Sequence, residues 1–256
     1  MSEPRLTNRT PYVVLGLVVL LAAGAFIGWR VYQGQQVPEP VVAVEPQAVD
    51  AGVVEPELPP LNLADGDAIL KDSGISTDPV VLGWLAQPDI VRRLIAAVVQ
   101  VGDGDSPRET LGFISVQGSF SVIEKGKKTD KKVFMSPAST ARYDPAAKAI
   151  GSIDAALAGR TYAKVRPFAE SVLREIGLPG EKLDAALGRA IDRLAAVPLS
   201  DEPLELAPLD VGIGYRYVDP TLEGLSRAQK HLLRMGPANA RIVVAKLKEF
   251  QAASGQ

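Results

Sequence analysis

The stretch that decides the fold is residues 215–239, YRYVDPTLEGLSRAQKHLLRMGPAN. Its periodicity predicts a helix that begins at Pro220, because proline is pre-set for the first helical turn. One face of that helix would carry the mostly apolar set Leu222, Leu225, Gln229, Leu232 and Leu233. The opposite face would carry Glu223, Arg227, Lys230, His231 and Arg234. The pattern predicts one face in the core and one mostly cationic face in solvent.

The cationic face has two interpretations. The first is a docking surface for an acidic partner or envelope polymer, with the candidate residues Tyr215, Tyr217, Arg227, Lys230, His231 and Arg234. The second is an ordinary solvated face on which Glu223 and Arg227 form an i,i+4 ion pair. His231 is the only histidine of the chain, and its place opposite the apolar face predicts an exposed side chain.

The surrounding sequence predicts a mainly α-helical domain over residues 65–253. Apolar side chains recur at helical spacing in three sets: Ile90, Leu94, Val98 and Val101; Tyr162, Val165, Ala169, Val172 and Ile176; Leu183, Leu187, Ile191 and Leu194. Pro167 is expected to kink or restart the second of these helices. The only clear strand signal is a small β-hairpin, in which residues 120–124 pair with residues 132–135 across a lysine-rich turn.

Local signals predict where these helices begin and end. Asp78, Asp144 and Asp219 each precede a proline, and we expect all three to cap the helix that follows. Gly236 is expected to end a helix in a left-handed conformation, so that Pro237 begins a last helix to about Phe250. The Asp-Gly-Asp triplets at 65–67 and 103–105 lack the later ligands of a calcium loop, and we assign both to turns.

An uncharged run at residues 11–29, PYVVLGLVVLLAAGAFIGW, predicts a transmembrane helix over residues 11–32. At the helical rise the run spans about 28 Å, close to the thickness of a bilayer core. Arg5 and Arg9 precede it, and the positive-inside rule therefore places residues 1–10 in the cytoplasm. The rival interpretation is a cleaved secretory signal peptide, which Ala23-Gly24-Ala25 would fit. Both interpretations place the later domain outside the cytoplasm.

Residues 33–64 are rich in proline and acidic residues and contain no lysine or arginine. Frequent proline prevents helix formation and uniform charge extends a chain, so this segment is predicted to be a disordered linker. At the polyproline rise it would reach at most about 100 Å from the bilayer. The predicted order is therefore anchor, linker and periplasmic domain.

Composition removes several classes of function. The chain has no cysteine, which excludes disulfides, thiolate metal sites and a lipidated cysteine anchor, and one histidine is too few for a histidine-based metal site. No dinucleotide, P-loop, nucleophile-elbow or zincin motif is present, so no cofactor, metal or catalytic residue is predicted. The net charge of −2 gives no support to nucleic-acid binding. Nothing in the sequence defines the oligomeric state.

A carboxylate-dependent hydrolase of the cell wall or of an envelope polysaccharide is the alternative function. Glycosidase carboxylates lie a few ångströms apart in the fold and leave no sequence signature. The candidates would be Asp154, Asp219 and Glu223.

Four segments resemble a known family. They are ARYD at 141–144, Ser152-Ile153-Asp154, the run from Tyr217 to Glu223, and QKHLLRMGPAN at 229–239. Together they resemble the proteobacterial domain of unknown function family numbered 3014 over about residues 61–250. The resemblance implies one amino-terminal membrane span, a proline-rich spacer and a helical domain, and it implies no activity. We therefore expect a single-pass inner-membrane protein whose periplasmic domain serves interaction or envelope assembly.

Overall fold

The computed structural model describes residues 61–114, 116–127 and 129–255. The predicted cytoplasmic tail and transmembrane helix, and the predicted linker up to residue 60, lie outside the described residues. Within the described ranges, no helix combines the length and the apolar character that a membrane span requires.

Helices form most of the described chain, which confirms the prediction of a mainly helical domain. Those before residue 200 are α1 (Leu63–Lys71), α2 (Pro79–Leu85), α3 (Ile90–Asp103), α4 (Pro137–Ala141), α5 (Asp144–Gly151), α6 (Ala155–Val165), α7 (Ala169–Glu175) and α8 (Leu183–Ala195). Those after it are α9 (Pro220–Glu223), α10 (Arg227–Arg234) and α11 (Pro237–Ser254). A 3₁₀ turn at Arg166–Phe168 separates α6 from α7, as expected from Pro167.

The larger apolar core lies among the helices that precede residue 200. α3 packs along α8 and also contacts α1 and α7. The side chains that these helices bury most completely are Ile90, Val91, Val172, Leu173 and Ile191. Except for Val91 and Leu173, these are positions on the predicted apolar faces, because helical spacing places them on one side of each helix.

A four-stranded antiparallel sheet covers a second apolar cluster. The strands are β1 (Val122–Lys125), β2 (Lys132–Met135), β3 (Glu205–Pro208) and β4 (Tyr215–Tyr217), in that order across the sheet. The predicted hairpin forms, with Ile123 opposite Phe134. The expectation of a lone hairpin is wrong, since Val133 pairs with Leu206 and Leu206 with Tyr217. Leu206 and Tyr217 pack with Leu222, Leu232 and Leu233 from α9 and α10.

The single helix predicted from Pro220 is also wrong, because the chain breaks between α9 and α10. Ser226 caps α10: its hydroxyl accepts from the Gln229 amide, and the Gln229 side chain accepts from the Ser226 amide. This reciprocal capping box satisfies two amides that a helix start leaves unpaired. The break changes the direction of the chain and therefore changes which residues share a face.

The capping predictions have mixed outcomes. Asp78 and Asp219 each accept a hydrogen bond from the amide two residues ahead, as expected. Asp144 does not cap α5, because the helix already includes it and Tyr143 takes the capping position. Gly236 has the expected positive φ of 81°, but its ψ of 159° is extended and not left-handed helical.

The two Asp-Gly-Asp triplets also differ from each other. Residues 103–105 end α3, and Gly104 has a left-handed conformation there. Residues 65–67 lie inside α1 and not in a turn, because Asn62 caps that helix and Asp65 stands in its first turn. Asp67 then accepts a hydrogen bond from the Val91 amide at 2.9 Å, which replaces the missing side-chain cap of α3.

Candidate functional site

Two of the segments that carry the family resemblance, 141–144 and 229–239, meet at one place in the structure. Asn239 is buried and donates to the Asp144 carboxylate at 2.8 Å and to the Thr140 carbonyl at 3.2 Å. The rings of Tyr143 and His231 lie edge to face, 6.4 Å apart. These contacts join α4 and the start of α5 to α10 and the start of α11.

The position of α10 is set by hydrogen bonds to the rest of the domain. The Ala228 amide donates to the Gly104 carbonyl at 3.0 Å, and the Gln229 side chain donates to the Arg193 carbonyl at 3.0 Å. These bonds hold the first turn of α10 against the end of α3 and the end of α8. They also fix the direction in which His231 and Arg234 leave the helix.

His231 is half-buried, so the prediction of an exposed side chain is wrong. Its Nδ1 lies 2.8 Å from the Ser106 hydroxyl. Burial lowers the pKa of His231, and the positive charges of Arg234, Arg108 and Arg142 lower it further. Every charged group that shifts this pKa is cationic, and the imidazole therefore lies in an uncompensated positive field.

We name Arg108, Arg142 and Arg234 the basic cluster. Arg142 is half-buried and fixed: its Nε donates to the Ser139 carbonyl at 2.9 Å and its Nη1 to the Gly118 carbonyl at 3.3 Å. Its guanidinium carbon lies 5.1 Å from the centroid of the Tyr143 ring and 6.0 Å from that of Phe120. Aromatic faces thus hold this cation in place without neutralising it.

Arg108 and Arg234 are exposed, and within the described ranges neither forms an ion pair or a side-chain hydrogen bond. Arg234 also lines a cavity of about 10 Å³ beside Phe120, Tyr215 and Tyr217. A cavity of this size holds about one water molecule. The basic cluster is therefore an open surface site and not an enclosed pocket.

Tyr217 lies beneath this surface. Its side chain is 3% exposed, and its hydroxyl has no hydrogen-bond partner among the described residues. Burial raises its pKa to about 12, while the charge of Arg234 opposes that rise. Tyr215 is half-buried, with its ring 5.8 Å from that of Phe120. A buried hydroxyl without a partner is uncommon in folded proteins and marks a position where an additional polar group would be favourable.

The predicted docking residues do not form one stripe. The side chain of Lys230 is 19% exposed and donates to the Glu223 carboxylate at 2.8 Å, so the expectation that it faces outward is wrong. Arg227 is exposed and lies 3.7 Å from the carboxylate of Asp105. Arg234 alone of the three remains outward and unpaired among the described residues, because Arg227 lies near Asp105 and Lys230 binds Glu223.

The three candidate carboxylates each make structural hydrogen bonds. Asp154 accepts from the Leu157 amide at 2.8 Å, and Asp219 accepts from the Thr221 amide at 2.7 Å. Glu223 accepts from the Tyr217 amide at 2.9 Å in addition to its bond with Lys230. Lys230 is the main cause that keeps the pKa of Glu223 below its usual range, which suits an ion pair better than a general acid.

The Ser106–His231 contact has the atoms of a nucleophile and a base, but its surroundings do not activate it. A catalytic imidazole is oriented and made more basic by a carboxylate on its other nitrogen. Here the neighbouring charges are those of three arginines, which weaken the base. Across the described ranges, no cluster of three or more histidine, cysteine or acidic side chains could hold a metal ion.

Sequence reasoning missed Ser106, Arg108 and Arg142 as neighbours of His231. Ser106 is 125 residues from His231 along the chain, and the contact is tertiary. No periodicity or motif marks such an approach. The ARYD segment was noticed only through the family resemblance, which gave no role to its arginine.

The lowered pKa of His231 predicts a pH dependence of stability. The unfolded chain takes up a proton near the ordinary value of about 6.5, whereas the folded chain resists that proton. The free energy of unfolding should therefore fall as the pH falls below about 6.5. Urea titrations between pH 8 and pH 5 measure this, and His231→Gln should have a flatter profile than the parent. Equal slopes for the two proteins would contradict the prediction.

The fold and the site define a mainly helical domain with a small antiparallel sheet and a basic surface cluster at a helix corner. The sequence model of the family described as "Protein of unknown function (DUF3014)" matches residues 90–251, and the chain belongs to this family. No curated protein and no solved structure matches the chain. The family resemblance drawn from the sequence is therefore confirmed.

Proposed function

We propose that this protein is an interaction or assembly module of the bacterial envelope, which binds an acidic partner through the basic cluster. In this proposal a transmembrane helix over residues 11–32 anchors the chain in the inner membrane, with residues 1–10 in the cytoplasm. The helical domain stands in the periplasm on the acidic linker of residues 33–64. The charge bias around the apolar run supports this orientation.

The observation that carries the proposal is the absence of acidic partners at the basic cluster, within the described ranges. Some other arginines of the domain have such partners: Arg92 lies 3.0 Å from Glu175, and Arg241 lies 2.7 Å from Asp201. Unpaired arginines such as Arg160 and Arg174 also occur among the described residues, but the three of the basic cluster differ from them because all three charges act on one imidazole. Exposed ion pairs contribute at most about 1 kcal/mol, so their absence at the basic cluster changes the stability of the domain little. It matters more for the charge complementarity of this surface with a partner. Three guanidiniums that form no ion pair with the described residues attract and orient an acidic partner.

In-cell crosslinking with mass-spectrometric identification of neighbours tests the binding proposal. We expect the double variant Arg108→Glu/Arg234→Glu to lose a crosslinked partner that the parent protein retains. Both side chains are exposed and unpaired in the described structure, so the fold should be unaffected. The matched control is Arg160→Glu/Arg174→Glu, which makes the same charge change at two other exposed arginines. Equal loss in both double variants, or no loss in either, would contradict the proposal.

The proposed topology is tested separately. Because the chain has no cysteine, Ala51→Cys introduces a single reactive thiol into the predicted linker. We expect a membrane-impermeant maleimide to label it in cells whose outer membrane has been permeabilised. Labelling only after the inner membrane is lysed would overturn the orientation.

A further inference from the structure

We propose that the basic cluster is a receptor for a doubly charged phosphate group, such as a phosphate monoester. This inference rests on the proposed function, because it names the chemistry of the acidic partner at the same site.

The first argument is charge. Arg142 and Arg234 both lie beside Phe120, and Arg108 is two residues from Ser106, whose hydroxyl lies 2.8 Å from His231. No carboxylate is among the charges that shift the pKa of His231. Mutual repulsion of like charges destabilises the empty site, and a bound anion relieves that repulsion. A carboxylate brings a single negative charge, whereas a phosphate monoester carries about −1.5 to −2 near neutral pH. The more highly charged anion compensates the cluster better.

The second argument is the supply of donors. Arg142 donates from Nε and Nη1 to carbonyls and from Nη2 to the Tyr143 hydroxyl at 3.5 Å, so two of its five N–H groups are unused. The guanidiniums of Arg108 and Arg234 donate to none of the described residues. Guanidinium forks match the spacing of phosphate oxygens and bind them in a bidentate manner.

The third argument is preorganisation. Carbonyls and two aromatic rings hold Arg142, and the capped helix α10 carries Arg234. The orphan hydroxyl of Tyr217 lies beneath the same surface, in a side chain that lines the small cavity beside Arg234. The cavity admits about one water molecule, which could connect this hydroxyl to an anion above it. The anion itself would therefore sit on the surface.

His231 provides a built-in reporter, because it is the only histidine. Its imidazole signals in the NMR spectrum of the full chain, purified in an uncharged detergent, give the pKa directly. Inorganic phosphate added at pH 8, where most of it carries two negative charges, should shift these imidazole signals, and the shift should saturate with a Kd of about 1 mM or tighter. The reference sample contains sodium chloride at the same ionic strength.

Further samples separate the sources of the anion. Sodium glutamate supplies a carboxylate, and phosphatidylglycerol mixed into the micelles supplies a singly charged lipid phosphate. We expect both to act at least fivefold more weakly than inorganic phosphate. Arg108→Gln/Arg234→Gln should weaken the phosphate response at least fivefold, whereas Arg160→Gln/Arg174→Gln should leave it unchanged. A response equal to that of sodium chloride, or a stronger response to either competitor, would overturn the inference.

The two proposals fail in different ways. If crosslinking depends on the basic cluster but phosphate has no effect on His231, the ligand chemistry is wrong and the interaction module stands. If phosphate binds but charge reversal removes no crosslinked partner, the proposed function is wrong and the anion site stands.

Discussion

Leu173→Ala is expected to lower the free energy of unfolding by about 2–5 kcal/mol. Leu173 is 2% exposed and lies on α7 beside Val172, which is fully buried. Truncation removes apolar surface from the main core and leaves a cavity that the surrounding helices can fill only in part. Urea denaturation of the full chain, followed by circular dichroism, measures the change.

A neighbouring leucine-sized residue supplies the control. Ile176 ends the same helix and is 39% exposed, so Ile176→Ala removes a side chain that already contacts water. We expect its effect to stay below about 1 kcal/mol. If both substitutions destabilise the protein equally, the core is not centred where the structure places it.

The helices of this core could be predicted from the sequence because burial of one face imposes a repeat of 3.6 residues. Leu173 itself was not among the predicted positions, although Val172 next to it was. The repeat gives the direction of a helix face but not its width, and close packing against α3 extends the buried surface by one residue. Periodicity therefore predicts the existence of the core better than its boundary.

The sheet was predicted only in part. The hairpin of β1 and β2 has a turn rich in lysine and glycine between two apolar runs, which is a local signal. β3 and β4 have four and three residues, too short for alternation to stand out. They are strands because Leu206 and Tyr217 pair across them and pack on α9 and α10. Tertiary burial, and not local preference, decides such short strands.

The break between α9 and α10 had a visible signal that periodicity concealed. Ser226 and Gln229 have the spacing of a capping box. The leucines on either side continue the same apolar repeat, and for that reason one long helix was predicted. The break sets where α10 begins, and α10 carries His231 and Arg234. Arg142 and Ser106 approach His231 only through the tertiary fold.

Gly236→Ala is expected to lower the free energy of unfolding by about 2–6 kcal/mol. The first cause is the backbone: φ of 81° with ψ of 159° is a conformation that residues with a Cβ rarely adopt, at a penalty of about 1–3 kcal/mol. The second cause is space, because an added Cβ would lie 2.8 Å from the Thr140 Cγ2. Crowding of this kind typically adds about 1–3 kcal/mol. Denaturation of the full chain in urea measures the sum.

The matched control is Gly188→Ala, a glycine inside α8 whose added Cβ would meet no atom within 4 Å. There alanine should stabilise the protein by up to about 1 kcal/mol, because it favours the helix. The same chemical change should thus have opposite signs at the two sites. Similar effects at Gly188 and Gly236 would show that the corner is not strained.

A double-mutant cycle separates the two causes at Gly236. Thr140→Gly removes the atoms that the new Cβ would meet, so the double variant should lose less stability than the sum of the single variants. The loss of stability that Gly236→Ala still causes in the Thr140→Gly background is the backbone penalty. Because Gly236 lies between Arg234 and Asn239, and Asn239 binds the Thr140 carbonyl, the steric part must displace α4 or α11. Arg142, directly after α4, should then move relative to Arg234, and the imidazole signals of His231 should shift.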